Sequence, residues 1–158
     1  MSGFFSVTFL SVIIYATTSK RVYLSDKIRI MNDLLKELSY QGQKRILIKN
    51  ADKEHFEMFR QCLDDDVQID TEIDLRFPYE FMIVFTKTAS DERKLAPGLI
   101  HNLMRDGVIW FIYEKTDNPE VVSPSKHNWQ ALLHAGFSKK KIIKIDETHE
   151  AMRFDISD

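Results

Sequence analysis

From Ser25 onward the apolar residues fall at helical spacing. Ile28, Met31, Leu35 and Leu38 recur every three or four positions among polar neighbours such as Lys36 and Glu37. Ser25 stands where an N-cap is needed and Asp26 in the first turn, so a helix is expected to run to about Tyr40, before Gly42. The period then changes. Arg45-Ile46-Leu47-Ile48-Lys49 is a β-branched run bounded by polar residues, which predicts the first core strand. Phe56, Phe59 and Leu63 mark one face of a helix from about Asp52 to Cys62. Asp64-Asp65-Asp66 closes it as a solvated acidic turn rather than a metal site, because consecutive aspartates point in different directions.

Val67 to Ile69 predicts a short second strand, and Phe77-Pro78-Tyr79 punctuates the approach to Phe81-Met82-Ile83-Val84-Phe85. Five apolar residues in succession predict a central strand covered on both faces, as in a parallel sheet. Ser90 is placed to cap the next helix, with Asp91 and Glu92 at its positive end and Pro97-Gly98 as a kink. Leu99, Ile100, Leu103 and Met104 continue its apolar face until Asp106-Gly107 stops it. Val108 to Tyr113 predicts another buried strand. Ser123 then caps a helix with Pro124 at its first position, Trp129, Leu132 and Leu133 on the core face and Gly136 at its end. Lys141 to Ile145 and Ala151 to Ile156 predict an antiparallel hairpin at the sheet edge. Strands alternating with helices give an α/β fold: a Rossmann-like three-layer sandwich over residues 25–158, with a mostly parallel sheet and a C-terminal antiparallel hairpin.

Residues 1–24 stand apart. Gly3 to Ala16 is almost wholly apolar and is followed by Lys20 and Arg21. A run of about 14 residues falls short of the roughly 20 that span a membrane. No basic residue precedes it, and Ala16-Thr17-Thr18 is a poor cleavage site for a signal peptide. Three readings follow in descending order: a buried or peripheral segment, a coding start placed upstream of the natural domain, and a membrane anchor. Apart from that last reading, no membrane association and a cytoplasmic location are expected. The 158 residues suit one domain, 44% hydrophobic and 29% charged, and 22 Lys+Arg against 24 Asp+Glu leave no global charge to attract nucleic acid. Cys62, the single cysteine, forms no intramolecular disulfide and fits a reducing compartment as a small core residue.

The order of elements from Tyr79 onward resembles the second half of class I, AdoMet-dependent methyltransferases. More closely, it resembles a small bacterial family of unknown function with a Rossmann-like, methyltransferase-related fold. The likeness spans roughly Leu35 to Phe154 and is carried by Phe85-Thr86-Lys87-Thr88, by Trp110 and Tyr113 to Lys115, by Trp129, and by the ending from Asp146-Glu147-Thr148 to Phe154. In that family pattern a tryptophan follows the Asp-Glu-Thr triplet and a proline precedes the lysine after the Trp110 strand. Here His149 and Glu114 occupy those positions. The resemblance implies a fold and no established activity.

A nucleotide site on such a fold needs close backbone approach after the first strand, which is why glycines cluster there. Asn50-Ala51-Asp52-Lys53-Glu54 contains none. That argues strongly against a dinucleotide and, since AdoMet lacks a pyrophosphate, mainly on steric grounds against AdoMet. Asp70 or Glu72 near the end of the second strand would be the ribose-binding acid, although such acids are common on surfaces. Lys87 and Lys115 each follow a central strand, where open α/β sheets place ligands. Together with Asn50, Asp146, Glu147 and Thr148 they form the candidate ligand-binding set, against the plainer reading of solvated loop residues with stems laid on apolar neighbours. His55 is isolated, His127 and His134 lie seven apart on one predicted helix, and no ligand spacing joins the histidines, so no metal site and no cofactor are expected. Without a recognisable catalytic set, the first expectation is a non-catalytic module acting through a protein partner or as a homodimer. The alternative is a small-molecule or anion binder, including a divergent AdoMet-dependent methyltransferase.

Overall fold

The computed structural model describes residues 25–27, 29–88, 90–120 and 124–156. The apolar runs become β1 (Arg45–Lys49), β2 (Gln68–Asp70), β3 (Tyr79–Phe85), β4 (Leu103–Glu114), β5 (Phe137–Lys144) and β6 (His149–Ile156). They make one sheet in the order β2-β1-β3-β4-β6-β5. β1 pairs in parallel with β2 and β3, and β3 pairs in parallel with β4. β6 alone of the six is reversed, antiparallel to both β4 and β5. The expected C-terminal hairpin is therefore present, with its second strand inserted inside its first.

Strand alternation sends neighbouring side chains to opposite faces, and helices cover both. On one face Ile46, Ile48, Phe81, Ile83, Trp110 and Ile112 pack against Met31, Leu34, Leu35 and Leu38 of α1 (29–37) and its end, and against Phe59 of α2 (Lys53–Cys62). On the other, Leu47, Met82, Val84, Ile109 and Phe111 meet Ala96 and Leu99 of α3 (Asp91–Asn102) and Leu132 of α4 (Gln130–His134). The three-layer α/β sandwich with its mostly parallel sheet is thus the observed architecture. Trp110 ties two layers together by donating from Nε1 to the Leu38 carbonyl at 2.7 Å, satisfying an end-of-helix acceptor of α1.

Several local expectations give way to tertiary contacts. Leu103 and Met104 open β4 instead of extending α3, because the Asn102 amide is held by the Asp74 and Phe77 carbonyls and Leu103 pairs with Tyr79. Asp106-Gly107 therefore lies within a strand and stops no helix. The second strand is Gln68–Asp70 rather than Val67 to Ile69, with Val67 buried just ahead of it. The segment at Pro124 forms a single 3-10 turn, Pro124–Lys126, and α4 starts only after Trp129, whose φ is +49°. His127 consequently precedes the helix that carries His134, and Leu133 faces solvent while Leu132 is buried. β5 begins at Phe137, so Lys139-Lys140-Lys141 lies within the outermost strand. Residues 1–24 and Ser123 lie outside the described residues. Among the described residues no helix is long and apolar enough to cross a membrane.

Candidate functional site

Parallel pairing brings the carboxyl ends of β1, β3 and β4 to one edge of the sheet, and the β5–β6 turn joins them there through a Lys115 N–H to Thr148 carbonyl bond of 2.8 Å. The chain leaves β1 through Asn50 with φ of +62°. That is the left-handed conformation a glycine takes most easily, and asparagine tolerates it better than most residues. The turn that the missing glycines would have made is therefore present with a side chain on it. Asp52 then caps α2, accepting from the His55 amide at 2.8 Å, which occupies a helix end an anionic ligand would otherwise meet.

Between these strand ends and α3 lies a cavity of about 740 Å³. Asn50, Thr86, Lys87, Lys94, Glu114 and His149 supply much of its polar wall, with Phe85, Leu95 and Ile112 among its apolar residues. The Asp91 carboxylate accepts from the Lys87 and Thr88 amides at 3.0 and 3.1 Å, fixing the loop after β3 and holding Lys87 at the wall. Ser90, expected as the cap, makes no side-chain bond to the helix end. Thr86 is 4% exposed, yet its hydroxyl has no hydrogen-bond partner among the described residues. A buried hydroxyl left so loses about 1–3 kcal/mol of satisfaction. Thr86 is also among the residues lining the cavity, although its hydroxyl oxygen is itself buried.

The candidate set divides. Asn50 and Lys87 line the cavity, and Lys115, although on the neighbouring strand end, is exposed and outside the lining; Lys94 of α3 is the second cavity lysine. Glu147 is exposed and pairs with Lys144 at 3.1 Å. Asp146 and Thr148 belong to a hydrogen-bonded cluster in the β5–β6 turn. One Asp146 oxygen, Oδ1, accepts from the Thr148 and His149 amides at 2.8 and 2.7 Å and lies 3.1 Å from His149 Nδ1. The other, Oδ2, lies 3.0 Å from His55 Nε2, and Asp52 Oδ2 holds the opposite His55 nitrogen at 2.7 Å.

Sequence reasoning missed this cluster's histidines. His55 is buried, its ring 4.6 Å from that of His149 between centroids. Burial pushes the Asp146 carboxyl up, but the His55 ring and the amides of the turn outweigh it and hold the group far below the ordinary carboxylate range. For His55, burial disfavours the charged ring while Asp146 and Asp52 favour it more, leaving its pKa raised. No local spacing could have found the pair, since 91 positions separate its members. The ribose-acid candidates are otherwise engaged. Asp70 is bound by Arg45, Gln68 and the Tyr79 hydroxyl, and Glu72 by Lys49 at 2.6 Å.

No protein-family model matches this sequence, and no curated protein matches it. Solved structures do match its fold. A protein from Sulfolobus solfataricus described as a type 11 methyltransferase aligns with a TM-score of 0.53 at 13% identity, over 79% of this chain and 90% of that one. Ribosomal protein L11 methylase from Lactobacillus delbrueckii subsp. bulgaricus gives a TM-score of 0.55 at 10% identity, over 81% and 77%. Phosphoethanolamine N-methyltransferase 2 of Haemonchus contortus, solved with S-adenosyl-L-methionine, gives 0.55 at 10% identity, over 79% of this chain but 36% of that one. At such identities the similarity is one of fold, and the fold of this chain is that of the Rossmann-like, methyltransferase-related proteins.

Proposed function

We propose that this protein binds a small, anion-bearing metabolite in the cavity at the carboxyl ends of β1, β3 and β4. The single observation that carries this reading is the open cavity at the strand ends, walled by apolar side chains and by Lys87 and Lys94. The two lysines share the lining with Asp52, Asp91 and Glu114, of which Asp91 is taken up by the amides after β3 and Asp52 by His55. Open α/β sheets bind ligands outside their strand ends, and such pockets combine apolar walls with a few convergent polar groups. A filled surface around Asn50, Lys87 and Lys115 would have favoured the association module, and the opening at Asn50 and Lys87, though not at Lys115, favours a ligand.

AdoMet-dependent methyl transfer is the narrower form of the same reading. The fold neighbours support it. Two features of the site weigh against it: the acids at the end of β2 are engaged in ion pairs, and a side chain occupies the left-handed position after β1. Homodimerisation through the edge strand β5 is the second reading, favoured by its outermost place in the sheet. Its exposed Lys139, Lys140, Lys141 and Lys144 oppose that pairing, since lysines on an edge repel a second copy.

A thermal-shift panel of AdoMet, S-adenosylhomocysteine, nucleotides, inorganic phosphate and phosphorylated sugars tests the proposal. Binding stabilises by mass action, about 2.7 kcal/mol at a hundredfold excess over Kd. The expected result is stabilisation by an anionic compound that is lost in Lys87→Ala and weakened in Lys94→Ala. Stabilisation by AdoMet and its homocysteine product would select the methyltransferase form. If nothing in the panel stabilises the protein, the ligand reading falls. Light scattering on the same samples then tests the dimer.

A further inference from the structure

His55, Asp146 and His149 come from a helix and a distant turn, yet they offer one donor atom each within 4.8 Å of one another. That is close enough for one ion to draw them together, and one pair already stands at ligand spacing. With metal bonds of about 2.0–2.1 Å, neighbouring donors on a single ion stand about 3.0–3.4 Å apart. His55 Nε2 to Asp146 Oδ2 is 3.0 Å, and His149 Nδ1 lies 3.1 Å from the other carboxylate oxygen, Oδ1, so that it closes on the ion by a small shift. We propose that these three residues form a binding site for a first-row divalent transition metal of the zinc class.

The donor set selects the class. Two imidazoles and a carboxylate suit Zn²⁺, Co²⁺ or Fe²⁺, whereas Mg²⁺ and Ca²⁺ prefer all-oxygen sites. The surroundings are those of a supported site. Asp52 Oδ2 lies 2.7 Å from His55 Nδ1, the carboxylate–histidine arrangement that fixes a ligating ring and leaves Nε2 to the metal. Asp146 is held by the two amides of its own turn, and His55 is buried on α2. On binding, the ion takes the place of the proton between His55 Nε2 and Asp146. The Thr148 hydroxyl, 2.8 Å from His149 Nδ1, gives up that nitrogen and keeps its 3.1 Å bond to Asp146 Oδ1. Three protein donors leave coordination positions open, and one of the three ligands, His149, also lines the cavity.

The site does not depend on the proposed metabolite, and its test uses metal alone. The full chain, shown folded by circular dichroism, is titrated calorimetrically with Zn²⁺, and Co²⁺ is followed by its visible absorption. The expected result is saturation at one ion per chain, with Co²⁺ bands of a nitrogen-and-oxygen site and no competition from Mg²⁺. Loss of a ligand in His149→Gln or Asp146→Asn is expected to weaken binding at least about 100-fold, and loss of the orienting carboxylate in Asp52→Asn about 10- to 100-fold. His134→Gln, on α4, is expected to change nothing. Absence of saturable binding to the folded chain overturns the proposal. So does binding that persists unchanged in both folded His149→Gln and Asp146→Asn, which would place the ion on other histidines.

Discussion

His55 Nε2 on α2 stands 3.0 Å from Asp146 Oδ2 in the β5–β6 turn, joining positions 91 residues apart. The pair ties the β5–β6 turn to the helix that follows β1, and its hydrogen-bond partners Asp52 and His149 line the cavity. Asp146→Ala removes that link and the acceptor of two turn amides at once. Discounted for the partial exposure of the carboxylate, the expected loss is about 1–2 kcal/mol. Urea unfolding, with the slope unchanged, measures it.

Glu92 shows how a helix-end acid became a core anchor. It is 2% exposed, and its two oxygens take the Leu132 amide at 3.1 Å and His127 Nε2 at 2.9 Å. The five-residue α4 owes its place to this grip. Glu92→Ala leaves a buried amide unsatisfied and is expected to cost about 1–3 kcal/mol. Hydrogen exchange is expected to quicken first in Ala131–His134, and equal protection in the variant would show that packing of Leu132 suffices.

Gly107 is a packing glycine. A Cβ there would stand 2.7 Å from Leu103 Cδ1, 3.0 Å from the Met104 carbonyl and 3.1 Å from the Glu80 carbonyl. The side chain of Leu103 can turn aside, but the two carbonyls belong to backbone. Gly107→Ala is therefore expected to destabilise by about 1–3 kcal/mol, the usual range for overpacking. Calorimetric melting is the check, with a fall of about 2–4 °C for each kcal/mol in a chain of this size.

Acid unfolding has a signed expectation at Asp70. Burial pushes its carboxyl up, but the Tyr79 hydroxyl, the Gln68 amide and Arg45 together hold it below the ordinary range. A depressed native pKa means the carboxylate's contribution is complete above the unfolded value, about 3.9, and fades as pH falls through it toward the native value. Stability followed from pH 6 downward should therefore drop less steeply below about pH 4 in Asp70→Asn than in the parent chain. Identical acid limbs would show that Asp70 contributes nothing to the linkage.

The sheet was legible because its strands are written as uninterrupted apolar runs. Arg45–Lys49 matches its predicted bounds residue for residue, and the central β3 and β4 were both found. Boundaries failed where a short apolar patch satisfies two periods. Leu103-Met104 continues a helical face in sequence, and only pairing with Tyr79 makes it strand. The site was half legible. Asn50 and Lys87 follow from the rule that ligands sit at strand ends, whereas Lys94 projects from a helix to which that rule does not point. His55 looked isolated because its partners, Asp146 and His149, come from the far end of the chain.

The most direct test of a ligand in the strand-end cavity is a ¹H–¹⁵N correlation spectrum recorded as AdoMet, inorganic phosphate and phosphorylated sugars are titrated in turn. An anionic compound is expected to move the amides of Asn50–Asp52, Thr86–Thr88 and Ile112–Glu114 together, in a saturable way that Lys87→Ala weakens. Spectra in which those amides stay still throughout, or in which the moving amides lie on another face, would contradict it.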